Sequence, residues 1–298
     1  MSVLYIFYGE RIEKQLNKEE LNLLKLEGYM QQQDKEYFSL RVLTSAGNLN
    51  SDQVRCLSDI ADKYGRGYIG FTTRQCIEIP WIKEESIPEV KRAIEGAHIT
   101  TGGTGYRVIA VAACKGTLCK YGLIDSQELS RKLEEKFLGM DVPGKFKIGI
   151  SACPNNCVKA PLSDLGFMAQ NKPRVEEDIC KGCRICERTC KVDAIEVIEK
   201  KAKINYDKCV SCGQCIKACP FKAMELEKEG IAVFIGGKGG RQLRIGERAQ
   251  KLFNIDELVQ LTEKVINYSK ENSQKGERLG STIDRLGLDH LRKSLDIK

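Results

Sequence analysis

The sequence has few of the features that would place a protein in a membrane or outside the cell. No stretch approaches the roughly 20 apolar residues that a membrane-spanning helix needs. The opening MSVLYIFYGER lacks the basic region and long apolar run of a signal peptide. Histidine is scarce as well: the two present, His98 and His290, lie in no motif, and we expect both to be structural or exposed. These absences predict a cytoplasmic protein with no membrane span.

Acidic residues are outnumbered by basic ones, with 41 Asp and Glu against 48 Lys and Arg and a formal net charge of +7. The basic residues are spread along the chain, and no RNA- or DNA-binding signature accompanies them, so we expect no nucleic-acid partner. Two interpretations stay open at this point. The charge covers a solvated surface, or part of it faces a polyanionic ligand.

Cysteine is abundant by contrast, with 14 residues. Eight of them fall in two copies of one pattern, DICKGCRICERTCKVDAIEV at 178–197 and DKCVSCGQCIKACPFKAMEL at 207–226. Each copy reads C-x2-C-x2-C-x3-C, a spacing at which three thiolates wrap one iron–sulfur cube and the fourth reaches the other cube. A pair of zinc sites is the alternative, but it would need fewer cysteines. The predicted 4Fe–4S ligand sets are Cys180, Cys183, Cys186 and Cys219 for one cluster, and Cys209, Cys212, Cys215 and Cys190 for the other.

Residues 173–228 resemble a bacterial two-cluster ferredoxin. Lys191 departs from that pattern, because the first run would usually carry proline there, whereas Pro220 keeps the proline of the second run. We expect a small change of turn at Lys191 and no loss of a cluster. Neither flank has the composition of a flexible linker, so the ferredoxin is predicted to be inserted into a larger domain.

Helix and strand signals alternate through the rest of the chain. The apolar spacing in SDQVRCLSDIADKYG predicts a helix from an N-cap at Ser51 to Gly65, and QCIEIPWI alternates as a strand does. YRVIAVAAC and KFKIGIS are short apolar strands separated by the helical SQELSRKLEEKFLGM. This mixture predicts an α+β architecture with sheets covered by helices.

Each of those two apolar strands runs into a cysteine pair. ACKGTLC contains Cys114 and Cys119, and SACPNNC contains Cys153 and Cys157. Four thiolates at the ends of two strands could hold a third 4Fe–4S cluster. The alternative is four buried, inert side chains, but flanking Gly, Pro and Asn are typical of loops that present ligands. The two remaining cysteines are assigned no role: Cys56 and Cys76.

These two loops resemble those of the sirohaem-dependent sulfite and nitrite reductases. In that family a cysteine pair on one loop and a C-x3-C pair on another bind a 4Fe–4S cluster, and the last cysteine bridges to the sirohaem iron. The resemblance therefore implies the bridging role for Cys157. The first pair here is C-x4-C where the family usually has C-x5-C, so the local geometry of that loop is expected to differ.

The resemblance covers nearly the whole chain. FTTRQCIEI (71–79) is similar to the family's Thr-x-Arg-Gln strand, SLRV (39–42) looks like its earlier substrate arginine, and GKFKIGI (144–150) looks like its Lys-x-Lys element. FIGGKGGR (234–241) and ERLGSTIDRLG (277–287) resemble segments near the end of the sirohaem domain. The implied catalytic, anion-binding residues are Arg41, Arg74, Lys145 and Lys147. The implied partners of the haem carboxylates are Arg107, Lys238 and Arg241.

The implied fold is one half of the duplicated sulfite reductase architecture with an inserted ferredoxin, and the likeness is strongest to the anaerobic sulfite reductases. The expected domains are a ferredoxin-like lobe at 1–80, the first part of the sirohaem and 4Fe–4S domain at 81–172, the two-cluster ferredoxin at 173–228, and the C-terminal part of the sirohaem domain at 229–298.

The resemblance also implies six-electron reduction of sulfite to sulfide, with sirohaem, three 4Fe–4S clusters and electron entry through the ferredoxin. The sequence has no nicotinamide or flavin signature, so a partner protein with flavin or iron–sulfur centres is expected to supply electrons. A chain with one half is expected to form oligomers. With histidine so scarce, Lys, Arg and water are expected to deliver protons. Two alternatives stay open: a sirohaem nitrite reductase, and a polyferredoxin electron carrier without catalysis.

Overall fold

An antiparallel four-stranded sheet forms the first part of the described chain, which comprises residues 16–297 of this computed structural model. Its strands are β1 (Tyr29–Gln31), β2 (Tyr37–Val42), β3 (Gly70–Phe71) and β4 (Ile77–Lys83), in the order β1-β2-β4-β3. Alternation along β2 buries Phe38, Leu40 and Val42 on one face. Arg41 consequently lies on the opposite face, away from this core.

Three helices accompany this sheet: α1 (Lys18–Leu26), α2 (Ser51–Tyr64) and α3 (Ile87–Gly96). The helix expected from Ser51 is present, but its N-cap is Asn50, which exchanges two hydrogen bonds with Gln53. Ile87 and Val90 of α3 are buried in the same core as the sheet. The expected boundary at residue 80 therefore falls inside β4, and the packing unit continues through α3.

The second sheet begins with β5 (Val108–Ala113), followed by α4 (Ser126–Phe137), β6 (Phe146–Ser151) and β7 (Leu165–Val175). β5, β6 and β7 are parallel neighbours, and the burial of nearly every residue in β5 and β6 fits strands covered on both faces. The strands expected in YRVIAVAAC and KFKIGIS and the helix between them are thus confirmed.

The part of the chain between β7 and the next strand of the main sheet forms a separate small core. Its elements are α5 (Ile185–Thr189), β8 (Ile195–Ile198), β9 (Lys201–Ile204) and α6 (Gln214–Ala218), after which β10 (Met224–Ile235) returns antiparallel to β7. The register runs from Met224 opposite Val175 to Ile235 opposite Leu165. This long ribbon joins the main sheet at one end and, at the other, residues 173–228, the segment that the sequence predicts to be an inserted ferredoxin and that we call the insert.

The chain closes the main sheet with β11 (Glu247–Arg248), which pairs with β10, giving the order β11-β10-β7-β6-β5. Three helices follow: α7 (Glu257–Asn272), α8 (Leu279–Leu286) and α9 (Leu288–Leu295). Leu258 and Val265 of α7 and Ile283 of α8 pack with the strands in the largest core. No helix of residues 16–297 is both long and apolar enough to cross a membrane.

Candidate functional site

The two cysteine loops lie at one edge of the main sheet, because β5 and β6 are parallel and each strand ends just before one of the loops. We call this end of the sheet, after Ala113 and Ser151, the cysteine edge. Cys114 N donates to Ile150 O at 3.1 Å. Ala152 N donates to Cys114 Sγ at 3.1 Å. Burial raises the pKa of the Cys153 thiol, and negative charge on Cys114, Cys157 and Cys119 would raise it further. Cys114, Cys119 and Cys157 thus lie near enough to Cys153 to affect its pKa. Cys119 and Cys157 are exposed, and Cys153 is buried.

The start of α4 holds the Cys114 loop. Ser126 Oγ donates to Cys114 O at 2.9 Å, and Gln127 Nε2 donates to the same oxygen at 2.7 Å. Both side chains are buried. Gly116 has φ +56°, and a Cβ there would lie 2.9 Å from Ser126 N, so the short loop turns tightly against the helix. These contacts, which were not predicted from the sequence, hold the loop that carries the C-x4-C cysteine pair.

A segment of the first sheet reaches the same edge. Gln75 Nε2 donates to Ala113 O at 2.8 Å, and Ala113 N donates to Gln75 Oε1 at 2.9 Å. Ala113 immediately precedes Cys114, and Gln75 immediately follows Arg74. The Thr-Thr-Arg-Gln segment, residues 72–75, therefore connects the cysteine edge to a predicted anion-binding side chain.

The predicted anion-binding residues form one cationic group. Arg41 pairs with Glu78, with Nε 2.9 Å from Oε1. Arg41 and Arg74 each lie 3.4 Å from Gly103 O through their Nη1 atoms. Burial lowers the pKa of Arg74, and the charge of Arg41 lowers it further. Two guanidinium groups consequently approach the same backbone carbonyl.

Two lysines of the GKFKIGI segment belong to the same group. Burial is the largest cause of the lowered pKa of both Lys145 and Lys147. Lys25 and Arg74 lower the pKa of Lys145 further, and Arg278 does so for Lys147. Such mutual repulsion between cations favours binding of an anion among them.

A buried ion pair that was not predicted from the sequence lies beside these lysines. Asp164 is fully buried and accepts Arg278 Nε at 3.0 Å and Lys147 N at 2.9 Å. Arg278 belongs to the ERLGSTIDRLG segment. Its partner in the ion pair, Asp164, is 114 positions away in the sequence. We name the basic cluster as these five residues: Arg41, Arg74, Lys145, Lys147 and Arg278.

The three residues expected to bind haem carboxylates have different surroundings. Arg107 Nε is buried and has no hydrogen-bond partner among residues 16–297, although Arg107 Nη2 lies 3.8 Å from Asp141. Lys238 Nζ lies 2.8 Å from Gln242 Oε1 and 3.4 Å from Ser281 Oγ. Arg241 is exposed in the same hairpin. The orphaned nitrogen of Arg107 suits an anionic group such as a carboxylate of sirohaem.

The insert contains two cavities, each lined by one predicted set of four cysteines. The first cavity is lined by Cys180, Cys183, Cys186 and Cys219. The second cavity is lined by Cys190, Cys209, Cys212 and Cys215. Burial, together with Cys212 and Cys209, raises the pKa of Cys215 to about 12.

The predicted sets of cysteine ligands can be compared with what a single metal ion or an iron–sulfur cluster requires. Within residues 16–297, no three His, Cys, Asp or Glu side chains converge closely enough to hold a single metal ion. Four thiols that line one cavity without converging on a single point suit a four-iron cluster better than tetrahedral zinc, which requires ligands in direct contact with one ion.

The remaining cysteines and histidines lie outside these groups. Cys56 Sγ lies 3.5 Å from Ala93 O, and Cys76 Sγ lies 3.6 Å from Arg74 O. His98 and His290 are both exposed, as expected, and His290 Nδ1 lies 3.1 Å from Tyr268 Oη.

Comparison with solved structures identifies the fold. The crystal structure of dissimilatory sulfite reductase I is similar with a TM-score of 0.72 and 18% sequence identity, covering 88% of this chain and 69% of that chain. The described architecture is therefore the sulfite and nitrite reductase fold, with a ferredoxin-like half and a 4Fe–4S domain.

Sequence comparison then assigns the family. The family "Nitrite and sulphite reductase 4Fe-4S domain" matches residues 104–298, and "Nitrite/Sulfite reductase ferredoxin-like half domain" matches residues 29–97. The chain belongs to the nitrite and sulfite reductase family. The second match includes α3, in agreement with the core that α3 shares with the first sheet.

Three relatives illustrate the range of lengths in the family. The coenzyme F420-dependent sulfite reductase of Methanocaldococcus jannaschii is 38% identical, over 85% of this chain and 41% of that protein. One subunit of the anaerobic sulfite reductase of Salmonella typhimurium is 31% identical, over 62% of this chain and 56% of its own length. The assimilatory-type sulfite reductase of Nitratidesulfovibrio vulgaris is 24% identical, over 90% of this chain and 96% of its own. The expected likeness, including that to the anaerobic type, is confirmed, and the chain spans about half or less of the first two relatives.

Proposed function

We propose that this chain performs the six-electron reduction of sulfite to sulfide with sirohaem and 4Fe–4S clusters. One observation supports the proposal above all others. The Thr-Thr-Arg-Gln segment hydrogen-bonds to the strand end that carries Cys114, and it also supplies Arg74 to the basic cluster. A redox centre at the cysteine edge would therefore have an anion pocket beside it.

The residues present suit the proposed cofactors. Cys114, Cys119, Cys153 and Cys157 would hold one 4Fe–4S cluster, and Cys157 would also join it to the sirohaem iron. Arg107, Lys238 and Arg241 would pair with haem carboxylates. When bound, these groups would supply electrons and a coordination position for sulfur; the chain contributes their placement and the electrostatics of the pocket.

The basic cluster would hold the sulfite oxygens. Arg41 is held by Glu78, and Arg278 by Asp164, so both guanidinium groups are oriented before an anion arrives. A guanidinium can donate to two oxygens at once. Lys145 and Lys147, with their lowered pKa values, release a proton more readily than free lysine, which suits delivery of protons to oxygens that leave as water.

Electrons would enter through the insert, whose two cavities would hold the other two clusters. The donor would be a separate protein with flavin or iron–sulfur centres, and the chain would act as part of an oligomer. A cytoplasmic location accompanies this proposal. The family also contains nitrite reductases, so reduction of nitrite at the same pocket is the second candidate.

Turnover with reduced methyl viologen under anaerobic conditions tests the proposal. We expect sulfide from sulfite, and we expect Lys147→Met to lower kcat/KM by about 10²-fold, because it removes one cation from the anion pocket. Lys132→Met, the same change at an exposed lysine of α4 that pairs with Glu128, is the control.

Preferential formation of ammonia from nitrite would favour the second candidate. No turnover of either anion by a protein with intact clusters would favour a pure electron carrier. As a test of the bridging thiolate, Cys157→Ser should abolish magnetic coupling between haem and cluster. Coupling that survives would overturn that assignment.

A further inference from the structure

The insert projects from the same sheet edge that carries the cysteine loops. β6 and β7 are parallel, and Ser151, the last residue of β6, lies opposite Met168. The chain after Ser151 turns into the loop of Cys153 and Cys157, whereas β7 continues in the same direction to Val175. Each residue of β7 after Met168 therefore lies farther from the cysteine edge than the residue before it.

The second cysteine run, residues 209–219, contacts β7 near that edge. Asn171 N donates to Ser211 O at 2.7 Å, and Asn171 forms an isolated bridge with Cys212. A Cβ on Gly213 would lie 3.0 Å from the Cβ of Asn171, so the turn packs closely on the strand. Asn171 is about 10 Å beyond Met168 at the usual strand rise of about 3.3 Å per residue.

The first cysteine run, residues 180–190, has its cavity farther out. Met224 lines the first cavity and pairs with Val175, the last residue of β7. Pro173, which lines the second cavity, lies two residues nearer Met168 than Val175, about 7 Å by the same rise. Val197 and Ala202, from the hairpin of β8 and β9, also line this cavity.

A side-chain contact links the insert directly to the loop of Cys119. Lys191 follows Cys190, which lines the second cavity. Its Nζ lies 5.9 Å from the ring centroid of Tyr121, two residues after Cys119, within the range of a cation–π attraction. Lys120 Nζ lies 5.0 Å from the same ring. Lys191 is the residue that replaces the usual proline of the first run, so this departure coincides with the contact.

We propose that the two insert clusters act in a fixed order. Cys180, Cys183, Cys186 and Cys219 would hold the cluster on the side of the electron donor, and Cys190, Cys209, Cys212 and Cys215 would hold the one nearer the cysteine edge. The Lys191–Tyr121 contact would position the insert for electron transfer to the centre at that edge. This inference rests on the proposed function. The electrons would come one at a time from the donor protein, which would be oxidised, and six such transfers would be needed for each sulfite reduced to sulfide.

The order can be tested in the holoenzyme by electron paramagnetic resonance. Cys183→Asp and Cys212→Asp occupy equivalent positions in the two runs, and each variant should alter the signal of one insert cluster, which assigns both signals. Power saturation is then compared between protein with sirohaem and protein produced without it. A paramagnetic haem speeds relaxation of a cluster strongly at short distance. We expect a several-fold change for the cluster assigned through Cys212 and little change for the one assigned through Cys183.

The positioning role of the contact has its own measurement. Lys191→Met and Tyr121→Leu should slow electron transfer from a flash-reduced insert to the haem several-fold, without changing cluster content. Tyr121→Phe, which keeps the ring, should retain most of the rate. Lys217→Met, a change at an exposed lysine of α6, is the matched control.

Three outcomes would overturn the proposed order or contact. They are a haem effect larger at the Cys183-assigned cluster, equal effects at both clusters, and unchanged transfer in Lys191→Met and Tyr121→Leu together. Absence of sirohaem bands from the wild-type spectrum would instead contradict the proposed function, so the two failures are distinguishable.

Discussion

Lys147 shows how one side chain combines several constraints. It lies on β6, its backbone N–H donates to the buried Asp164, and its ammonium group faces the charge of Arg278. Burial and that charge lower the pKa of Lys147, so its positive charge is lost at a lower pH than that of a free lysine. An anion held by Lys147 should therefore bind less well as the pH rises.

This gives a pH prediction. In the wild type, KM for sulfite should rise on the alkaline side as Lys147 and Lys145 deprotonate through their lowered pKa values. Lys147→Arg stays charged throughout, so the rise should move to higher pH. Steady-state kinetics from pH 7 to 10 on both proteins provide the measurement. If KM rises identically with pH in the wild type and in Lys147→Arg, Lys147 does not titrate in this range.

At the scale of elements, the turn between α7 and α8 carries Arg278 into the basic cluster. Glu277 fixes this turn: its carboxylate accepts Arg285 Nε at 3.0 Å and Gln274 N at 2.8 Å. Arg285 also donates to Asn272 O at 2.8 Å. These hydrogen bonds, led by that from Arg285, lower the pKa of Glu277 to about 2.

Glu277→Gln should lower the free energy of unfolding by about 1 kcal/mol at pH 7. The native pKa is below the unfolded value of about 4.3, so this contribution is full above about pH 4.3 and is lost as the pH falls through the native value. The difference between wild type and variant in urea unfolding should therefore stay constant from pH 8 to 5. Glu128→Gln, at an exposed pair with Arg131, is the control and should change little. A difference that shrinks well above pH 5 would contradict the lowered pKa.

Local patterns predicted several elements well. The apolar runs of β5 and β6 are contained in short windows, so both strands followed from the sequence. The four-cysteine groupings stay a prediction, because each set joins two separate segments of the chain. The supports of the site were not predictable in this way. Gln75 bonds to Ala113 across 38 positions, and Asp164 bonds to Arg278 across 114, and no local periodicity encodes such pairs. The N-cap of α2 was displaced by one residue because Asn50 forms the complete capping box with Gln53.

At the scale of the whole molecule, three cores divide the work proposed for the chain. The first, around Leu40 and Ile79, supports the strand that carries Arg41 and the strand that follows the turn of Arg74. The largest, around Phe146 and Phe167, supports the cysteine edge. The third, around Ile195 and Met224, supports the two cavities of the insert. The β7–β10 ribbon contributes residues to both the largest core and the third core, so it would connect the proposed site of electron entry to the proposed anion pocket.

The most direct test of the account is the absorption spectrum of the anaerobically purified protein together with its iron content. The account predicts sirohaem bands and about thirteen iron atoms per chain, since three four-iron clusters and one haem iron are proposed. Dithionite should bleach the cluster absorption, and sulfite should shift the haem bands. A protein with about eight iron atoms and no haem bands would contain only the two insert clusters of a ferredoxin. That result would contradict a sirohaem centre at the cysteine edge.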